Sequence, residues 1–118
     1  MEEESTARRL VEAVLTREDW QWIATPHILR EYFSVLEHTR FRNNQETRDL
    51  FERRIRDKVD LVEATDDITL PADPTDAKFL NAAAAGEADY LITSDRHLLE
   101  ADPPGNTRIV KVSEVPFP

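Results

Sequence analysis

Three carboxylates occupy positions where their chemistry matters more than their solubility. Asp76 opens the segment "DPTDAKFLNAAAAGEA", and Phe79, Leu80, Ala83 and Ala84 follow it at +3, +4, +7 and +8. That spacing puts Asp76 in line with the helical stripe expected to face a core. An ionised carboxylate there is costly unless it is paired, hydrogen-bonded or bound to a metal. Helix capping competes with this reading, with Asp73 as N-cap, Pro74 as first helical residue and Asp76 as a first-turn acid favoured by the dipole. Glu31 lies between Ile28 and Val35, at the shoulder of another apolar stripe. It is either a solvated helical acid or one that reaches over a sheet edge into a cleft. Asp95 directly follows the apolar run "YLIT" and Ser94. It either caps "RHLLE" or stands beyond the carboxyl end of a strand, where open α/β sheets bind ligands.

Taken together, the three acids fall at strand ends and early helix positions, which share one edge of a parallel α/β layer. Gathered there they repel one another. Arg30, Lys78 and Arg96 are near in sequence, but one or two positions along a helix directs them to other faces. A hard divalent ion, Mg²⁺ or Mn²⁺, relieves the repulsion through oxygen ligands, and such an ion can generate hydroxide and stabilise charge on a phosphate. Thr93 and Ser94 are placed to position a water or phosphate. His27, His38 and His97 show no metal-ligand spacing, so each is expected at the surface or at a cap. Ser94 has no His partner for a nucleophilic triad.

The elements that must position these residues follow from periodicity and turn chemistry. Ser5 or Thr6 is expected to cap a first helix through about Leu15. "DWQWIAT" reads as a short strand ending near Ala24. Thr25 and Pro26 suit the start of a helix with Ile28, Leu29, Tyr32, Val35 and Leu36 inward. A third helix spans about Gln45–Lys58 with Leu50, Phe51 and Ile55 on its inner face. "VDLVEA" reads as a strand and "ITLPADPT" as a loop. The helix after it carries Gly86 near its end. "DYLIT" is a strand, "DRHLLE" a helical turn and "TRIVKV" a last strand. This alternation predicts an α/β layered fold with a mainly parallel sheet. Trp20, Trp22, Phe33 and Phe79 are expected in the core.

The chain has 118 residues, 40% of them hydrophobic and 33% charged, which suits one globular domain spanning 1–118. It has no cysteine, which excludes disulfides and Cys-ligated zinc and suits a reducing, cytoplasmic setting. Two glycines, Gly86 and Gly105, leave no Gly-rich phosphate loop, which argues against a nucleotide-binding domain. The acidic start "MEEESTARR" lacks a signal peptide's apolar core, and no run approaches a membrane span. The net charge of −9 gives no bulk attraction for nucleic acid. A basic run (Arg40, Arg42, Arg48, Arg53, Arg54, Arg56) is either a solvated face or an RNA-backbone contact.

These motifs resemble a PIN domain, the metal-dependent nuclease fold of VapBC-type toxin–antitoxin toxins. "STARRLVEAVL" looks like the first family helix, and "ATPHILREYFSVLEHTRF" resembles the segment carrying the second acid, on Glu31. "DPTDAKFLNAAAAGEADYLITSDRHLL" is the strongest match and is similar to the segment with the third and fourth acids, on Asp76 and Asp95. Asp73 matches an additional acid of one subgroup assigned to toxins. "TRIVKVSEV" resembles the closing strand and turn. The resemblance implies a three-layer α/β/α fold, catalytic and metal-binding roles for Glu31, Asp76 and Asp95 with Mg²⁺ or Mn²⁺, RNA as substrate with Arg40 and Arg42 as contacts, and an antitoxin partner.

One departure stands out. PIN domains resemble one another in opening with an apolar strand that ends in aspartate, and Met1 here leads straight into Glu-Glu-Glu. In the family's sheet that strand is central, between the strands placed at Trp20–Ala24 and Tyr90–Thr93. A truncated start, a split or degenerate protein, or a strand from another chain each accounts for this. Either the neighbouring strands close up or a homo-oligomer forms. Two functions follow: a toxin endoribonuclease, or a catalytically inactive or split PIN-like module that binds a protein partner or RNA.

Overall fold

A computed structural model describes residues 2–37 and 44–115, with 2–8 through their backbone alone. His38, Arg40 and Arg42 lie outside the described residues. Helix α1 spans Glu2–Thr16. Ser5 and Thr6 therefore lie inside it rather than capping it, and its first turn is the acidic Glu2–Glu4 run that a helix dipole favours.

Strand β1 (Trp22–Ala24) leads into helix α2 (Pro26–Glu37). Thr25 caps α2 as expected, its Oγ1 accepting from the Ile28 amide at 3.1 Å. The buried face of α2 is Leu29, Phe33 and Leu36. Val35, expected inward, is 57% exposed, because a position next to Leu36 is turned about 100° around the helix. Helix α3 (Gln45–Lys58) begins at Asn44, whose side chain accepts from Thr47 N. Ile55 is fully buried and Phe51 packs beside it, but Leu50 faces solvent at 55% exposure, a correction to its expected inner position.

Strand β2 (Val59–Leu61) pairs in parallel with β1. A loop then reaches a single 3₁₀ turn, Pro74–Asp76, and helix α4, Ala77–Gly86. Strand β3 (Tyr90–Ile92), the four-residue helix α5 (Arg96–Leu99) and strand β4 (Arg108–Val110) complete the order, with β3 and β4 parallel. Among the described residues all strand pairing is parallel and helices alternate with strands, so the layered α/β expectation holds.

Among the described residues the strands form two separate pairs rather than one sheet. Among the described residues β1 and β3 each have one strand partner and do not pair with each other. The neighbouring strands thus do not close up. Each pair carries its own core. Leu29, Phe33, Leu36 and Ile55 gather against Trp22 and Val59 on one side; Leu70, Leu80 and Leu98 gather against Leu91 and Ile109 on the other. Burying side chains the size of Ile55 or Leu80 stabilises by about 1.5–3 kcal/mol each.

Helix α4 packs against both β1 and β3 and so ties the halves together. Gly86 makes that possible. A Cβ there would meet Ile23 Cγ2 at 2.5 Å, so the helix end can lie on β1 only without a side chain. The left-handed residue after α4 is not this glycine but Glu87, at φ 49°.

Candidate metal centre

The site begins with a loop that a buried amide holds in place. Asn81 on α4 is 5% exposed; its Oδ1 accepts from Ile68 N at 2.9 Å and its Nδ2 donates to Ile68 O at 3.0 Å. Leu70 anchors the loop in the second core. The chain then turns, Asp73 N donating to Leu70 O, and Asp76 N to Asp73 O, both at 3.0 Å. This places Asp73 and Asp76 on either side of one tight turn.

Asp73 precedes the 3₁₀ turn and Asp76 precedes α4. The capping account holds in position, with Asp73 at the N-cap, Pro74 first in the turn and Asp76 a first-turn acid, but neither carboxylate is spent on a cap hydrogen bond. The Asp73 carboxylate is instead oriented by Thr75, whose Oγ1 donates to Asp73 Oδ1 at 2.9 Å.

Asp95 does cap. Its Oδ1 accepts from His97 N at 2.8 Å and Leu98 N at 3.3 Å. Thr93 supports it from the strand end, with Oγ1 accepting from Asp95 N at 3.0 Å. Ser94 is exposed.

The turn before α4 and the cap of α5 meet at one edge. Ligand atoms of Asp73, Asp95 and His97 lie within 4.8 Å of one another. Asp73 and Asp95 are half-buried and His97 is exposed. Asp76 feels the same neighbours. Its carboxyl is raised above the ordinary value by desolvation first, then by the charge of Asp73, a hydrogen bond shared with it, and the charge of Asp95. A polar edge with crowded carboxylates and an imidazole is a donor set of the kind divalent ions accept.

Glu31 stands elsewhere in the hydrogen-bond pattern. Its Oε2 accepts from Lys78 Nζ at 2.6 Å, and its Oε1 lies 3.4 Å from His27 Nε2. Lys78 holds the Glu31 carboxyl below its usual range. The structure thus brings Asp73, Asp76 and Asp95 together and joins Glu31 to α4 through Lys78. The expectation that Lys78 points away from the acids is corrected: the contact is made across helices, from α4 to α2, which spacing along one helix does not describe.

His97 was missed as a neighbour of the acids. Its signal lay in "DRH": an aspartate that folds over the second amide of a following helix draws that residue alongside. His97 and His27 are nonetheless both exposed, as expected, His27 by 61%. Arginines of α3 engage the protein itself. Arg54 makes two contacts of 3.2 Å with Glu12, and the Arg56 guanidinium lies 4.6 Å from the centre of the Phe33 ring.

A sequence model of the PIN domain matches residues 1–97. The chain belongs to the PIN domain family. Members of this family are generally metal-dependent nucleases, PIN nuclease domains act on RNA, and divalent metals are their typical cofactors. The acids at this edge of the PIN domain fit that chemistry, since Asp73 and Asp95 offer oxygen ligands within 4.8 Å of each other. No curated protein and no solved structure matches the chain. Among the described residues no helix is long and apolar enough to cross a membrane.

Proposed function

We propose that this PIN domain, as a single unit over 1–118, is a metal-dependent endoribonuclease and the toxin of a cytoplasmic toxin–antitoxin pair. The observation that carries the reading is the meeting of Asp73 and Asp95 within 4.8 Å, with Asp76 close enough to be pushed up by both. Asp73 and Asp95 would hold Mg²⁺ or Mn²⁺, with Asp76 and Glu31 as further acids of the site. A divalent ion held by these residues would supply a water of lowered pKa and positive charge for a scissile phosphate. Asp76, beside Asp73 and Asp95, would be the further carboxylate nearest a bound ion. Thr75 and Thr93 keep the Asp73 carboxylate and the Asp95 backbone in place. Arg40 and Arg42 are proposed to meet the RNA. An antitoxin with a basic side chain would cover the acidic edge, and a homo-oligomer would satisfy the unpaired strand edges.

Incubation of the purified chain with single-stranded RNA tests this. Cleavage is expected with Mn²⁺ or Mg²⁺, is abolished by chelation, and falls at least about a hundredfold in Asp95→Asn. Asparagine still caps α5, so the loss reports chemistry rather than folding. Absence of cleavage with either ion overturns the enzymatic reading.

The second reading, an inactive or split module that binds a protein partner or RNA, is favoured by one observation. β1 and β3 each pair with a single described strand, so the two halves do not share a sheet. RNA binding without cleavage, unchanged by chelation, would support it.

A further inference from the structure

The imidazole of His97 faces two carboxylates without making a hydrogen bond to either. Its Nδ1 lies 3.9 Å from Asp73 Oδ2 and 3.8 Å from Asp95 Oδ1. Both distances exceed the roughly 2.7–3.2 Å of an N–H···O bond. The ring is held there through its backbone, because the His97 amide donates to Asp95 Oδ1 at 2.8 Å. One nitrogen and two carboxylate oxygens thus lie within 4.8 Å of one another, brought there by the residue before the 3₁₀ turn on one side and by the start of α5 on the other.

We propose that His97 is a nitrogen ligand of the metal centre and makes it selective for Mn²⁺ and later transition ions over Mg²⁺. Ligands about 2.0–2.2 Å from one ion stand roughly 3–4 Å apart, which is the separation His97 keeps from both acids. Imidazole suits transition ions, whereas Mg²⁺ favours an all-oxygen octahedron. The competing account is that His97 serves as a positive counter-charge to the two acids and never touches an ion. Both accounts place the ring at the acids, and only the first puts a nitrogen on the metal. The inference rests on the metal-site reading above and deepens it by naming which ions the site takes.

The test is pulsed electron paramagnetic resonance of Mn²⁺ added to the full chain, with Mn²⁺ and Mg²⁺ affinities measured by titration calorimetry. The wild-type spectrum is expected to show coupling to a directly bound ¹⁴N. In His97→Gln and His97→Asp that coupling disappears, and His97→Asp still binds Mn²⁺. The Mn²⁺ preference over Mg²⁺ is expected to fall at least about tenfold in His97→Asp, where oxygen replaces nitrogen. Bound Mn²⁺ without nitrogen coupling, or coupling that survives in both variants, overturns the role of His97 and leaves the metal site standing. No Mn²⁺ binding by the wild-type chain overturns both. His97 is exposed, so circular dichroism of the variants is expected to match the wild type.

Discussion

Lys78 Nζ lies 2.6 Å from Glu31 Oε2, and this contact joins the start of α4 to the middle of α2. It crosses from the helix that bridges the two strand pairs to the helix of the first core. Glu31 is half-exposed, so water screens the pair, and such a pair contributes about 1 kcal/mol or less.

A double-mutant cycle of Glu31→Gln and Lys78→Met is therefore expected to give a coupling of up to about 1 kcal/mol, shrinking in high salt. The sign with pH follows from the lowered Glu31 pKa. Stability from the pair is present above the ordinary value of 4.5 and is lost as pH falls through the lowered one. Denaturant titrations of the four proteins across this range check it. Zero coupling at neutral pH and low salt would refute the claim that the contact bears on stability.

Asp76 carries the opposite sign. Its folded pKa is raised from 3.8, so the folded protein binds this proton more readily than the unfolded chain. Ionised Asp76 thus disfavours folding at pH values above the raised one, and that penalty vanishes below the ordinary Asp value. Asp76→Asn is expected to raise Tm in chelator at pH 7 and to lose that advantage near pH 3. It is also expected to weaken Mn²⁺ binding. A variant with lower Tm at pH 7 would contradict the crowding of the three acids.

Asn81 holds both backbone groups of Ile68 and donates to Ala77 O at 3.1 Å. Asn81→Ala leaves these groups without their side-chain partner, and the expected cost is about 2–4 kcal/mol. Because the same clamp aims the loop that ends at Asp73, Mn²⁺ affinity is expected to fall along with stability. Chemical denaturation and calorimetry on one preparation measure both. A full loss of stability with no change in Mn²⁺ affinity would separate the clamp from the site.

Much of this was legible in local pattern. Thr25-Pro26 marked the start of α2, the approximate span Gln45–Lys58 marked α3, and "DYLIT" and "TRIVKV" marked β3 and β4. The acids Asp76 and Asp95 were visible because each breaks an apolar pattern beside it. The faces of α2 and α3 were less legible at Val35 and Leu50. A hydrophobic residue one position from the true stripe looks the same in sequence, and the neighbouring element decides which of them is covered.

By itself the sequence determined the order of helices and strands, the parallel pairing their alternation requires, and the acid-rich segment from Asp73 to Asp95. These depend on nearest neighbours along the chain: caps, turn residues and periodic burial. Only the tertiary structure decided that Asp73 and His97 meet Asp95 while Glu31 is taken by Lys78. Those choices depend on how α4 lies against α2 and α5, and the approach of one helix to another is set by packing, such as Gly86 against Ile23, that no spacing within a single helix encodes.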